Sequence, residues 1–587
     1  MCGITGAVNL CSNSIDINTI DIMLGTLKKR GPDECGMIQF PNCILGHTRL
    51  SIIDLSTGKQ PMADIKKRYT ITFNGEIYNY KELKKSLENR GHTFLSNSDT
   101  EVIVEAYKEY GTGCLEYLDG MFAFGIWDDK KKELFLARDR FGEKPLFYTF
   151  VNNTLYFASE IKAILKTSVS REIDLTSLDN YLSLLYVPPW RTIYKSIKQL
   201  KPAHYILYKG EEIEQKRYWK IEKTNKYRNI SETEAKKTVL NILSDSVKSR
   251  MVSDVEVGTF LSGGIDSSII ASLAQKKSAT KIKTFSAGFE NFIDELPFAK
   301  EVAKIAKTEH YEKQINFDLL NSFKQVSAYF DSPFADSSNI PTHLISKFAR
   351  EKVKVVLSGD GGDELFWGYG QYTEHQRLPR LKKIIKKIFS NPFSEYLKKI
   401  QHFDVGERRL LLKDTSSIES DPTTNIDFSE AKTDLEKINL VDFYMALPGD
   451  ILTKVDQSSM MNSLEVRAPF LNHKLAEFAY NIPPFLKINN SQGKIVLKET
   501  FKNILPKNVL LRKKQGFGSP IKEWLLEDDF KEYVNKSLLS KNTLIEKYLN
   551  LSEVRKIVRK FYAGDYSLKY KVWILLSLEE WLKTHTK

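Results

Sequence analysis

Short apolar runs separated by turn residues dominate the first third of the chain. Cys43–His47, Tyr69–Gly75, Met121–Asp128 and Glu133–Arg138 each read as a strand, and Asp128-Asp129-Lys130 between the last two reads as a hairpin turn. Helical periodicity interrupts them from Ile17 to Lys29, Tyr80 to Asn89 and Glu101 to Tyr110. Together these elements predict stacked antiparallel sheets covered by helices. From about residue 231 the pattern changes. Ser231 with Glu234 forms a capping box that opens a helix through Val247, and the buried-type strands Val255–Leu261 and Val353–Leu357 each run into a glycine-rich turn. Strand, glycine turn and helix in that order predict a parallel α/β sheet with ligands at the carboxyl ends of its strands. The boundary falls between 205 and 230, giving domains at 2–210 and 211–587. There is no internal repeat, and the basic segment 375–440 carries no motif that can be tied to chemistry.

Length and composition narrow this picture only modestly. At 587 residues the chain exceeds a single ordinary core, and 42% hydrophobic with 27% charged residues is a soluble globular balance. No apolar run reaches the ~18 residues of a membrane span. The N-terminus lacks a basic, then apolar, leader, so no membrane partner and a cytoplasmic location are expected. The charge of +13 is spread over many segments, and a cluster such as Arg380–Lys387 reads as one solvated helix face, so no nucleic-acid partner is expected. Five cysteines, Cys2, Cys11, Cys35, Cys43 and Cys114, form no CxxC pair, which argues against a disulfide framework or a zinc site. Cys2 apart, they are expected to be small buried hydrophobes.

Cys2 is the first chemical candidate. If Met1 is removed, one residue carries both a thiol and an α-amine able to accept its proton. Arg49 offers a bidentate fork for a carboxylate, Asp99 an anion for an ammonium, and Asn74-Gly75 an amide and a backbone N–H suited to an oxyanion. In the second domain Leu261-Ser262-Gly263-Gly264-Ile265-Asp266-Ser267 sits between strand and helix as a phosphate cradle, although it lacks the lysine of a P-loop. Ser358-Gly359-Asp360-Gly361-Gly362-Asp363-Glu364 crowds carboxylates on a flexible turn. Asp266, Asp360 and Asp363 are expected to share a cation, with Mg²⁺ the natural choice for oxygen ligands. Lys514 could bring positive charge to departing phosphates.

These residues resemble a known family. Met1–Ile4, Arg30–Asp33, His47–Ile52, Asn74–Asn79 and Asp139–Gly142 are similar to the glutaminase half of class II glutamine amidotransferases. The S-G-G-x-D-S loop, Ser358–Glu364 and Ser463–Leu471 extend the resemblance to glutamine-hydrolysing asparagine synthetases over nearly the whole chain. The resemblance implies an N-terminal-nucleophile αββα sandwich followed by an adenine-nucleotide α-hydrolase-like parallel-sheet domain. It also implies that Cys2 attacks glutamine while Asn74 and Gly75 stabilise the oxyanion. Arg49, Glu76 and Asp99, with backbone near Ile53, would hold glutamine's amino-acid end. Leu261, Ser262, Gly263, Gly264, Asp266, Ser267, Ala287, Ser358, Gly359 and Lys514 would meet ATP, Asp266 and Asp363 would hold Mg²⁺, and Asp360 would lie near the intermediate. The implied reaction converts aspartate, ATP and glutamine into asparagine, AMP, pyrophosphate and glutamate through β-aspartyl-AMP. A related enzyme that amidates another carboxylate, such as a cell-envelope or polysaccharide precursor, is the alternative. A homodimer is left open as the assembly.

Overall fold

The computed structural model describes residues 1–11, 15–210, 212–289, 294–377, 392–512 and 518–585. The Arg380–Lys387 cluster and Lys513–Lys514 lie outside them. The N-terminal strands are β1 (Gly3–Val8), β2 (Glu34–Gln39), β3 (Cys43–Arg49), β4 (Met62–Ala63), β5 (Tyr69–Ile77) and β6 (Gly120–Asp128). They continue with β7 (Glu133–Arg138), β8 (Phe147–Val151), β9 (Thr154–Ala158), β10 (Lys198–Gln199), β11 (His204–Lys209) and β12 (Glu212–Arg217). They form two six-stranded sheets, ordered β10-β8-β9-β1-β3-β2 and β12-β11-β7-β6-β5-β4. All their pairings are antiparallel.

The two sheets stack through Ile4, Val8, Leu45, Trp127, Leu136 and Phe157, all fully buried. The helix Ile17–Thr26 covers the first sheet, and Tyr80–Glu88 with Asp99–Tyr110 covers the second, giving an αββα sandwich. The Asp99–Tyr110 helix starts two residues earlier than periodicity suggests, because Ser98 caps it by accepting the Thr100 N–H at 3.2 Å.

The second domain opens with the helix Glu232–Arg250, whose Ser231/Glu234 capping box forms as expected and which runs three residues past Val247. Its sheet contains β13 (Val257–Phe260), β14 (Lys283–Phe289), β15 (Glu309–Ile315), β16 (Val355–Leu357) and β17 (Glu465–Arg467). These strands are all parallel, in the order β15-β14-β13-β16-β17. β13 and β16 are shorter than their apolar runs, because the outer residues of those runs enter the flanking loops instead of the ladder. The chain runs outward from β13 to β14 and β15, then returns to β16 on the other side. The switch point between β13 and β16 is where such sheets open a crevice for ligands.

Buried ion pairs join the domains. Arg30 makes a two-pronged contact with Asp456 at 2.8 and 3.0 Å, and Arg467 reaches Glu76 at 3.1 Å. The 375–440 segment proves structural where it is described: Arg408, fully buried, bonds Asp179 at 2.6 Å, and Tyr396 donates to Asp442 at 2.6 Å. The cysteine expectation needs correction. Cys43 and Cys114 are buried, but Cys11 and Cys35 are exposed, since both sit at the sandwich rim where no layer covers them.

Candidate active sites

β1 begins at Gly3, so Cys2 lies at the mouth of the sandwich, between β3 of its own sheet and β5 of the other. Its backbone nitrogen donates to Asn74 Oδ1 at 3.0 Å, and its carbonyl accepts from Arg30 Nε at 3.0 Å. Burial pushes the Cys2 thiol up to about 11, against the pull of the neighbouring α-amine, the Leu50 N–H and Arg49. Met1 is buried with Tyr78, Met121 and Met460, and its amine meets Glu465 at 2.9 Å.

Asn74 is completely buried, and its Nδ2 has no hydrogen-bond partner among the described residues. A buried donor left unpaired costs about 1–3 kcal/mol, which folding alone gives no reason to keep. Next to it Gly75 has φ +154, and a Cβ there would stand 2.0 Å from the Met121 carbonyl of the paired strand, so no side chain fits. Behind both, His47 Nε2 contacts the Phe73 carbonyl at 3.0 Å, and burial lowers its pKa to about 3, so the ring is neutral.

Arg49 extends its guanidinium to Glu34 at 3.0 Å and to the Ile53 and Asp54 carbonyls at 3.1 and 2.6 Å. Asp99 Oδ2 accepts the Ile77 N–H at 2.9 Å, and burial raises its pKa to about 6 despite that bond. Burial also pushes Glu76 up, against the attraction of Arg467. The fold thus brings Cys2, Arg49, Ile53, Asn74, Gly75, Glu76 and Asp99 into one region. Arg467, which is supplied by the other domain and holds both Glu76 and Glu465 (2.6 Å), was not singled out from sequence.

At the switch point of the parallel sheet two loops lie side by side, because Thr259 of β13 is in register with Leu357 of β16. In the first loop Gly263 has φ +70, a left-handed conformation suited to glycine, and Ser262 Oγ and Ser267 Oγ are 3.1 Å apart. The helix Ile265–Lys277 starts there and turns its N-terminus toward the crevice. Ser286 Oγ donates to the Leu261 carbonyl, which brings β14 and Ala287 against the loop. Gly359 packs on Asp266 so closely that a Cβ would fall 2.9 Å from that residue's own Cβ.

The acidic cluster differs from the sequence expectation. Asp360 turns to accept from Ser358 Oγ at 2.7 Å, while Asp266 and Asp363 both meet Lys494 Nζ at 2.5 Å. Part of the repulsion is therefore relieved by an ammonium. Burial opposes charge on Lys494, but the two carboxylates together raise its pKa, so it is cationic at neutral pH. No group of three His, Cys, Asp or Glu among the described residues is placed to hold a metal ion. Asp266 and Asp363 together form an all-oxygen donor set. That set fits a Mg²⁺ ion held jointly with phosphate oxygens better than an all-protein cage. Lys494 carried no local signal in a chain with 87 lysines and arginines.

The fold and these two sites define a two-domain protein: an N-terminal-nucleophile sandwich of the amidotransferase type, followed by a nucleotide-binding type of parallel sheet. Residues 1–219 match the glutamine amidotransferase domain model, and residues 238–583 match the asparagine synthase model. The chain is 35% identical to asparagine synthetase [glutamine-hydrolyzing] 1 of Bacillus subtilis, over 99% of this chain and 96% of that protein. It is 33% identical to asparagine synthetase [glutamine-hydrolyzing] 3 of the same organism, over 89% of each. It is also 28% identical to the amidase chyE of Penicillium rubens, over 86% of this chain and 85% of that protein. The chain belongs to the asparagine synthase family. Among the described residues no helix is long and apolar enough to cross a membrane.

Proposed function

We propose that the chain makes asparagine from aspartate, ATP and glutamine, with residues 2–210 releasing ammonia and residues 211–587 activating the acid. The observation that carries the reading is the buried, unpartnered Asn74 Nδ2 beside Cys2. Once Met1 is removed, the nitrogen that donates to Asn74 becomes an α-amine, whose ordinary pKa near ~8 suits it to take the thiol proton. The thiolate attacks the side-chain carbonyl of glutamine, and the oxyanion forms against Asn74 Nδ2 and the Gly75 N–H. Collapse expels ammonia, which takes its proton from the α-ammonium, and water then releases glutamate from the thioester. Asp99 and Glu76 hold the substrate ammonium. Arg49, steadied by the Ile53 carbonyl, holds its carboxylate.

In the second domain ATP lies on Leu261, Ser262, Gly263, Gly264, Asp266 and Ser267, with Ala287 on one flank and Ser358 and Gly359 on the other. A carboxylate is inert to ammonia. Attack of the aspartate β-carboxylate on the α-phosphorus expels pyrophosphate and leaves an acyl adenylate, from which ammonia displaces AMP. Asp266 and Asp363 hold the Mg²⁺, which when bound neutralises triphosphate charge. Lys494 keeps the two carboxylates together, Asp360 stands beside the acyl adenylate, and Lys514 contacts phosphate. Incubation with ATP, Mg²⁺ and glutamine, with and without aspartate, tests the reading. Asparagine and AMP that depend on aspartate are expected; AMP formation that ignores aspartate but responds to another acid overturns it.

A further inference from the structure

A cleft lies between the two domains, with walls from both. It is separate from Cys2 and from the nucleotide loops, none of whose residues line it. Trp190 from the first domain and Phe443, Tyr444 and Tyr480 from the second contribute aromatic rings to its lining. Arg140 and Trp190 also line it, and Arg140 Nε and Trp190 Nε1 have no hydrogen-bond partner among the described residues, although Arg140 is only 7% exposed. Its Nη1 and Nη2 donate to the Leu118 and Leu115 carbonyls at 2.6 and 3.1 Å, which anchors the side chain and leaves Nε without a partner among the described residues.

The cationic side chains on the cleft are Arg140, Lys201, Arg217 and Lys220, and the carboxylates are Asp427 and Glu430. Lys220 lies 3.8 Å from Glu430, Asp427 sits in the field of Lys220 and Arg217, and His204, whose pKa burial lowers, adds no charge at neutral pH. The lining therefore has a net positive charge, aromatic rings, two carboxylates and two idle donors. A simple anion would use only the cations, and a plain hydrocarbon would leave the donors unpaired. A nucleoside phosphate uses all four features: the base against the aromatic rings and the indole N–H, the ribose diol on the carboxylates, and the phosphate on the lysines and arginines.

We propose that this interdomain cleft is a second nucleotide site, which binds a nucleoside monophosphate independently of the ATP crevice. The segment 425–430, part of the stretch without a sequence motif, then serves as one wall of a binding site. The test uses the full-length enzyme and two readouts. Photolabelling with 8-azido-AMP, followed by peptide mapping, is expected to place an adduct on 189–190 or 425–448; adducts confined to the loops at 261–267 and 358–363 would overturn the proposal. Equilibrium dialysis of radiolabelled AMP is expected to lose one binding site, or weaken it at least tenfold, in the exposed double substitution Arg217→Glu, Lys220→Glu. Trp190→Ala should weaken the same site without reversing any charge, and a tenfold excess of inorganic phosphate should not displace the label. Binding that is unchanged in both variants, or displaced by phosphate alone, would contradict it.

Discussion

Asn74→Asp isolates the oxyanion claim with almost no change of shape. The Oδ1 that receives the Cys2 nitrogen at 3.0 Å is retained, while the unpartnered Nδ2 becomes an acceptor. Removing one preorganised oxyanion donor costs about 10²–10³ in kcat, or about 3–4 kcal/mol. A carboxylate facing the developing oxyanion adds repulsion within a fully buried site, so the loss should fall at the upper end. The assay measures glutamate release without ATP, and asparagine formation from ATP, aspartate and ammonium salts. Glutaminase kcat should fall at least ~10²-fold with KM changed by less than about threefold, because the lost contact forms mainly in the transition state. Ammonia-dependent synthesis should stay within about twofold, since no substrate of that site touches Asn74. A glutaminase kcat within about fivefold of the wild type would refute the role of Nδ2. An equal loss of both activities would point to a structural role instead.

The other predictions address the remaining parts of the two sites. Cys2→Ala should abolish glutamine use and spare synthesis from ammonia, as read by the same paired assays. Asp99, with its pKa raised to about 6, loses its charge as pH falls through that value. Glutaminase kcat/KM should therefore drop about tenfold per unit below it, and a pH profile of Asp99→Asn should lack that limb while showing a higher KM. Lys494→Met leaves Asp266 and Asp363 facing each other without the ammonium that meets both at 2.5 Å. AMP formation should fall by ~10² or more while glutaminase holds within about twofold, as followed by pyrophosphate release. Arg467→Met strands Glu76 and Glu465 in the interface, and denaturant unfolding should show a loss of about 3–5 kcal/mol.

Local backbone features are readable from the sequence; long-range pairing is not. The glycine turns after β13 and β16, the capping box at Ser231 and the Asn74-Gly75 step each depend on neighbouring residues, so each was legible in place. The parallel sheet followed from the same punctuation, but the strand order around its switch point needed the register of Thr259 with Leu357. Lys494 is 228 residues from the aspartate it meets, and Arg467 is supplied by the opposite domain to Glu76. No periodicity or motif encodes such pairs. The crowding of acids at 360–364 is visible in the sequence, but the lysine that meets Asp363 and the turn of Asp360 toward Ser358 are not. The cleft at Trp190 and Tyr444 is illegible for the same reason, since its aromatic and basic residues come from six separate stretches of chain.

The central claim is that one chain carries nitrogen from glutamine at Cys2 to an acid activated on the parallel sheet. Mass spectrometry of the products from amide-¹⁵N-glutamine, ATP, Mg²⁺ and aspartate tests it directly, with the intact mass of the enzyme recorded to establish that Met1 is absent. The account predicts ¹⁵N-asparagine, AMP and pyrophosphate in equal amounts, with glutamate at least equal to them. Release of ¹⁵N-ammonia without labelled asparagine, or ADP in place of AMP, would contradict it.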